Sequence, residues 1–304
     1  MEVKEMREGK LLVVRISGTE LLDIGKTFDC GQCFRFDEVK TSRHEVEYAG
    51  VAFGKHVSFA QDGDELFVYN SDERDFYDVW SRFLALDADY AEINRDILAH
   101  SSGTVMDEAM EYGRGIRILR QDPFEATVSF IISQNNNIPR IKKIIESLSA
   151  SCGEPIEVSD EMLLHSSGLS SMRAFPSRDA IAALGEEGLY ALKVGFRAKY
   201  INDAMLRLGD GSLLLDKVGE SEKTADSIAA LCAVKGIGLK VASCIALFGM
   251  GRYDAFPVDV WMKRVGEKYF SSDPTDFSGE RFGKYAGIAQ QYLFYYERYH
   301  GGKQ

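Results

Sequence analysis

The tripeptide Gly236-Ile237-Gly238 lies between two stretches with helical spacing, and no other feature of the chain restricts its fold so tightly. SEKTADSIAALCAV (Ser221 to Val234) reads as one helix, opened by Ser221, and LKVASCIALFGM (Leu239 to Met250) as a second. Only a tight turn fits between them, and glycine reaches backbone conformations closed to other residues. The segment is therefore read as a helix-hairpin-helix. The free N–H groups and positive end of its second helix point outward, where a phosphate fits. Such a contact ignores base sequence. Taken alone, the same pattern also fits a plain helical hairpin with a glycine C-cap.

Upstream the pattern changes. LLVVRI (Leu11 to Ile16) is a short apolar run, and HEVEYAGVAFG (His44 to Gly54) alternates in part. HVSFA (His56 to Ala60) and ELFVY (Glu65 to Tyr69) flank Asp62-Gly63, a hairpin signal. Antiparallel strands follow from this. From Asp122-Pro123 onward the chain is helical: Asp caps free N–H groups and Pro fits the first turn. FEATVSFIIS is apolar on a broad face, Asn135 to Pro139 interrupts it, and IKKIIESL resumes helical spacing. The stretch from Ser151 to Gly188 gives no clear period. The expected fold is α+β, with an antiparallel β domain over residues 1–100 packed on a mostly α-helical domain, 101–304, that holds the helix-hairpin-helix.

The 304 residues carry a net charge of −11, which argues against a uniformly basic nucleic-acid binder. Affinity for a polyanion depends on a local patch, however, and basic residues gather at Arg140, Lys142 and Lys143, at Arg197 and Lys199, and at Lys235 and Lys240. No run of eighteen apolar residues exists, the N-terminus lacks a secretory signal, and five cysteines make no disulfide framework. A monomer inside the cell, in the cytoplasm or nucleoid, is the expectation.

Lys240 sits one to two residues into the second helix of the hairpin. The dipole there and partial burial both lower the pKa of an amine. A neutral lysine amine can attack an electrophilic carbon and form a Schiff base. Nineteen residues later, Phe256-Pro257-Val258-Asp259-Val260 offers a carboxylate able to stabilise positive charge on a sugar as its base leaves. Each has a plainer reading: Lys240 as a phosphate-contacting or solvated lysine, Asp259 as a helix cap.

Together, GIGLKVA and FPVDV resemble the helix-hairpin-helix superfamily of DNA glycosylases, and within it the 8-oxoguanine glycosylase/lyases. FDCGQCFRF (Phe28 to Phe36), LRQDPFEATVSFIISQNNNIPRI (Leu119 to Ile141), VGFRAKYI (Val194 to Ile201) and AGIAQQYLF (Ala286 to Phe294) extend the resemblance in order along most of the chain. It implies Lys240 as nucleophile and Asp259 as its carboxylate partner. Gly31 would offer its carbonyl to the N7 hydrogen of 8-oxoguanine, an atom that guanine lacks; a polar group left unpaired rejects the wrong substrate strongly. Phe294 and Cys244 would flank the flipped base, with Gln290 and the Pro257 carbonyl at its Watson–Crick edge. Asn135 would fill the gap in the duplex, beside Asn136. Arg140 and Arg197 would read the orphaned cytosine, and Phe196 would wedge into the opposite strand. Gly236, Gly238 and Val241 form the hairpin's contact with DNA. The implied partner is duplex DNA containing 8-oxoguanine.

The family often has His two residues after the Asp, where this chain has Trp261; Lys263 and Arg264 stand close by to supply charge. No cofactor is implied, although backbone carbonyls at the hairpin turn could hold a structural cation. Cys30-Gly31-Gln32-Cys33 mimics a redox or half-zinc motif, but no second pair completes it. Two other classes stay open: a monofunctional glycosylase for another damaged purine, acting with water, and a DNA-gripping module without catalysis.

Overall fold

The computed structural model describes residues 1–40, 42–166, 172–270 and 277–300. Six antiparallel strands form its sheet: β1 (Glu2–Glu8), β2 (Leu11–Ser17), β3 (Phe36–Glu38), β4 (Val46–Ala52), β5 (Lys55–Asp62) and β6 (Glu65–Tyr69). They lie in the order β1-β2-β6-β5-β4-β3. The Asp62-Gly63 hairpin sets β5 against β6 in the register Asp62↔Glu65 to Ser58↔Tyr69.

Alternate residues point to opposite faces of a strand, and both faces of this sheet are covered. Val14, Ile16, Val57, Phe59, Leu66 and Val68 meet Phe28, Trp80 and Phe83 on one side. Leu11, Val13, Ala60 and Tyr69 meet Met162 on the other. Burial on two faces explains why the alternation in the sequence is only partial. On the outer face the ring of His165 stacks on Tyr69 and its Nδ1 lies 2.8 Å from Glu47, which fastens a later segment to the sheet.

After Tyr69 the chain becomes helical. Helix Pro123–Ser133 starts as the sequence predicts, with Asp122 accepting from the Glu125 amide and Pro123 in the first turn. Asn137 caps the next helix, Ile138–Cys152. The expected helix from Ser221 to Val234 differs: Leu215–Gly219 and Thr224–Cys232 are separate helices, and the second has Lys223, not Ser221, at its N-cap, with no side-chain bond. Ser221 lies in the connection instead, where its carbonyl accepts from Arg252. The unclear stretch holds helices Asp160–Leu163 and Arg178–Ala191, the latter broken at Gly185; residues 167–171 lie outside the described set. Among the described residues no helix is long and apolar enough to cross a membrane.

Two side chains tie the sheet side to the helical body. Arg117, buried, donates to the carbonyls of Leu21 (3.0 Å) and Ala85 (2.6 Å) and lies over the Tyr90 ring. Gln32 is buried and satisfied at both ends of its amide. Its Nε2 donates to Thr27 and Arg117 carbonyls, and its Oε1 accepts from the Leu119 amide, each at 2.8 Å. These bonds hold the loop that carries Gly31.

Candidate active site

The hairpin forms as the glycines require. Helix Leu239–Met250 follows Gly238, which makes no side-chain cap, so its first N–H groups stay unsatisfied. Gly236 has φ +81, and a Cβ there would fall 2.4 Å from the Tyr200 ring. Only glycine fits both the conformation and the space. Val241 is buried beneath the hairpin, while Leu239 is exposed beside it.

Lys240 is the second residue of that helix and points inward. One cavity of about 60 Å³ is lined by Lys240, Asp259, Gly31, Cys244, Pro257, Gln290 and Phe294, with Cys30, Phe130, Phe248 and Gln291. Residues more than two hundred positions apart thus converge, and every base-pocket residue expected from the sequence is among them. A wider chamber of about 360 Å³ opens beside it, sharing Gly31, Phe130, Lys240, Asp259 and Phe294 and adding Asn136, Ile138, Trp261 and Arg298.

Electrostatics bears on one expectation. The Lys240 amine is held above its ordinary value, not below it. The sulfur of Cys244, one turn along the helix, contributes most, burial opposes it, and Asp259 adds to the rise. Cys244 is itself pushed up by burial, so at neutral pH it is a thiol and its anionic pull is absent. The Asp259 carboxylate then remains as the charge that favours the ammonium. Burial, the stronger of these two remaining influences, favours the free amine, as the sequence suggests. The Lys240 nitrogen also lies 5.9 Å from the centre of the Phe130 ring.

Asp259 is a helix cap, the plainer of its two readings, and it also stands at the cavity. Its Oδ1 accepts from the amides of Trp261 (3.0 Å) and Met262 (2.9 Å), so it caps helix Val260–Phe270. It lines the cavity with Lys240 as well. The Gln290 side chain is buried, and its Oε1 has no hydrogen-bond partner among the described residues. A buried acceptor left unpaired is costly, and a ligand donor would relieve it.

Gly31 enters from the β side with φ +80. The carbonyls on either side of it are occupied: Cys30 accepts from Gln291 Nε2 (2.8 Å) and Gln32 from Gln121 Nε2 (2.7 Å). Among the described residues nothing donates to the Gly31 carbonyl itself. Sequence alone assigns no role to Gln32, Gln121 or Gln291. All three lie inside the family-like motifs, yet amides that bond across the fold leave no periodic trace.

The residues expected to meet the DNA strands form a second group. Asn135 is exposed at φ 47, and Phe196 is exposed. Arg140 is exposed and close enough for its charge to help lower the Arg197 pKa, though burial dominates that shift. Arg197 is buried, and its donors reach the carbonyls of Gln134, Asn135 (2.9 Å) and Val194 (3.1 Å). In the free protein it therefore braces the Asn135 turn. Asn136 Nδ2 donates to the Ile132 carbonyl at 3.1 Å, finishing the preceding helix. Lys142, counted among the basic patches, is engaged by Asp37 at 2.6 Å. Arg264 lies 5.0 Å from the Trp261 ring. Cys30 and Cys33 are buried free thiols, and burial raises both, Cys30 to about 12, which removes the reactivity that their spacing suggests.

A hairpin aimed at phosphate, a lysine facing a carboxylate, and a pocket between sheet and helices together define a base-excision protein. The chain belongs to the HhH-GPD superfamily of base excision DNA repair proteins, whose family profile matches residues 128–281. Residues 13–127 match the N-terminal domain of 8-oxoguanine DNA glycosylase, which sets its branch within that superfamily. It is similar to the Clostridium acetobutylicum 8-oxoguanine glycosylase/lyase solved with duplex DNA containing cytosine opposite 8-oxoguanine. That match is 36% identical, covers 98% of each chain and has a TM-score of 0.85. MBOgg1, solved with a low-affinity DNA ligand, is 38% identical over 99% of this chain and 100% of that one, with a TM-score of 0.86. The N-glycosylase/DNA lyase OGG1 of Arabidopsis thaliana is 29% identical over 94% of this chain and 80% of its own.

Proposed function

We propose that the chain is a bifunctional DNA glycosylase and lyase that removes 8-oxoguanine paired with cytosine in duplex DNA, using Lys240 as nucleophile. The meeting of Lys240, Asp259, Gly31 and Gln290 in one cavity carries this reading. The chemistry named for the Clostridium and Arabidopsis relatives supports it.

The extruded base enters between Phe294 and Cys244. The Gly31 carbonyl accepts its N7 hydrogen, and Gln290 Oε1 accepts from its Watson–Crick edge. Ordinary guanine presents a lone pair at N7, and two acceptors facing each other forfeit that bond. DNA filling the cleft excludes water, and desolvation favours release of the Lys240 proton. The free amine attacks C1′ while the bond to the base breaks and its electron pair leaves with the base, which takes up a proton. Asp259 faces the positive charge that grows on the sugar. Loss of the C1′–O4′ bond gives an imine on Lys240. The imine acidifies the C2′ proton, and its removal expels the 3′ phosphate. On the other strand Asn135 occupies the gap, Phe196 wedges beside it, and Arg140 with Arg197 donates to the cytosine acceptors.

Borohydride reduces an imine to a stable link, so incubation with an 8-oxoguanine:cytosine duplex and borohydride traps wild-type protein on DNA. Lys240→Gln binds the duplex without trapping. Base release from wild-type protein without trapping would instead indicate a water-dependent glycosylase, and binding alone a non-catalytic module. Trapping by the Lys240→Gln protein would remove Lys240 as nucleophile.

A further inference from the structure

Helix Ala286–Tyr299 supplies Gln290 and Phe294 to the pocket, and one turn beyond Phe294, on the same face, stands Arg298. Its guanidinium packs against the Tyr299 ring at 4.9 Å. It lines the outer chamber with Trp261, Asn136 and Ile138. The Nη1 atom is buried and has no hydrogen-bond partner among the described residues, and no carboxylate among them lies within ion-pair distance. A Cβ built on Gly31 would fall 3.5 Å from that nitrogen.

A buried guanidinium donor without an acceptor is costly to keep. Here it lies next to Gly31, whose carbonyl is also unclaimed among the described residues. The donor nitrogen and the residue that carries the open acceptor are thus neighbours, and the oxidised edge of 8-oxoguanine likewise sets N7–H beside the O8 carbonyl. Guanine has an acceptor at N7 and only hydrogen at C8. We infer that Arg298 Nη1 donates a hydrogen bond to an oxygen of the extruded nucleotide, beside the contact made by Gly31. The inference rests on the reading of this cavity as the 8-oxoguanine site. Two oxygens have the required chemistry: O8 of the base, which the position next to Gly31 favours, and the flanking phosphate.

Arg298→Leu keeps much of the stem and removes the donor, while Arg298→Lys restores a cation. Two substrates separate the oxygens: an 8-oxoguanine:cytosine duplex, followed by single-turnover base release, and an abasic duplex, followed by borohydride trapping. Contact with O8 predicts a loss of roughly 10- to 100-fold for Arg298→Leu on the first substrate, unchanged trapping on the second, and partial recovery in Arg298→Lys. Equal losses on both substrates, again with recovery, assign the bond to phosphate. Rates equal to wild type on both overturn the inference. So does a loss that tracks a lowered melting temperature and that Lys does not relieve, because it marks Arg298 as structural. Wild-type protein that leaves 8-oxoguanine in place refutes the reading of the cavity itself.

Discussion

Replacing Glu125 by glutamine isolates the electrostatic cost of one buried carboxyl beneath the active-site helix. Glu125 lies in the first turn of helix Pro123–Ser133, which brings Phe130 to the pocket. Its side chain is 15% exposed, and Arg35 approaches only to 3.9 Å. Arg35 Nη1 finds no hydrogen-bond partner among the described residues, so the pair is not closed. Burial therefore outweighs the attraction of Arg35, Asp122 adds repulsion, and the carboxyl rises from 4.5 to about 7. A carboxyl raised by folding contributes stability that is complete below 4.5 and lost as pH climbs through about 7. That gap corresponds to about 3 kcal/mol at full ionisation. Glutamine has nearly the shape of the protonated acid and does not titrate. Urea unfolding of wild type and Glu125→Gln should give similar stabilities at pH 4.5. By pH 8 the wild type should fall behind the variant by about 3 kcal/mol. A constant difference across the range would show that Arg35 neutralises Glu125 in the folded chain, and the burial argument would be wrong.

Asp259→Asn keeps an amide oxygen able to cap helix Val260–Phe270, so its unfolding free energy should change by less than about 1 kcal/mol. Single-turnover excision should fall about 100-fold or more, since the charge facing the sugar is gone; a stable variant with full activity would separate Asp259 from the chemistry. Gly236→Ala meets both an unfavourable φ of +81 and the Tyr200 ring. It should lower stability by about 2–4 kcal/mol and weaken binding to duplex DNA of any sequence. An unchanged urea midpoint would contradict the packing.

Local patterns were legible in the sequence. Asp122-Pro123 fixed a helix start, Asp62-Gly63 a hairpin, and Gly236-Ile237-Gly238 a turn, because each acts through its immediate neighbours. The gathering of Gly31, Lys240, Asp259, Gln290 and Phe294 followed from motif resemblance; no periodicity places residue 31 beside residue 294. The state of Lys240 was not legible. Position in a helix suggests a lowered pKa, while the groups that push it the other way, Cys244 and then Asp259, stand one turn along the helix and on another element. Arg197 shows the same limit: its residue type suits base readout, yet in the free protein it holds the Asn135 turn. Ser221 failed for a nearer reason, since its capping propensity was overridden by the separate short helix before it.

The Gly31 peptide has little room to swivel. Gln291 grips the oxygen ahead of it and Gln121 the oxygen behind, while Gln32 is anchored at both ends of its amide. On the function proposed above, an undamaged guanine pressing its N7 lone pair against that oxygen could not persuade the loop to turn an N–H outward. Discrimination would on that reading be built in before any DNA arrives, as rigidity rather than as affinity. A change that merely slackened these three amides would leave the lysine chemistry intact and make the protein careless about which purine it cuts.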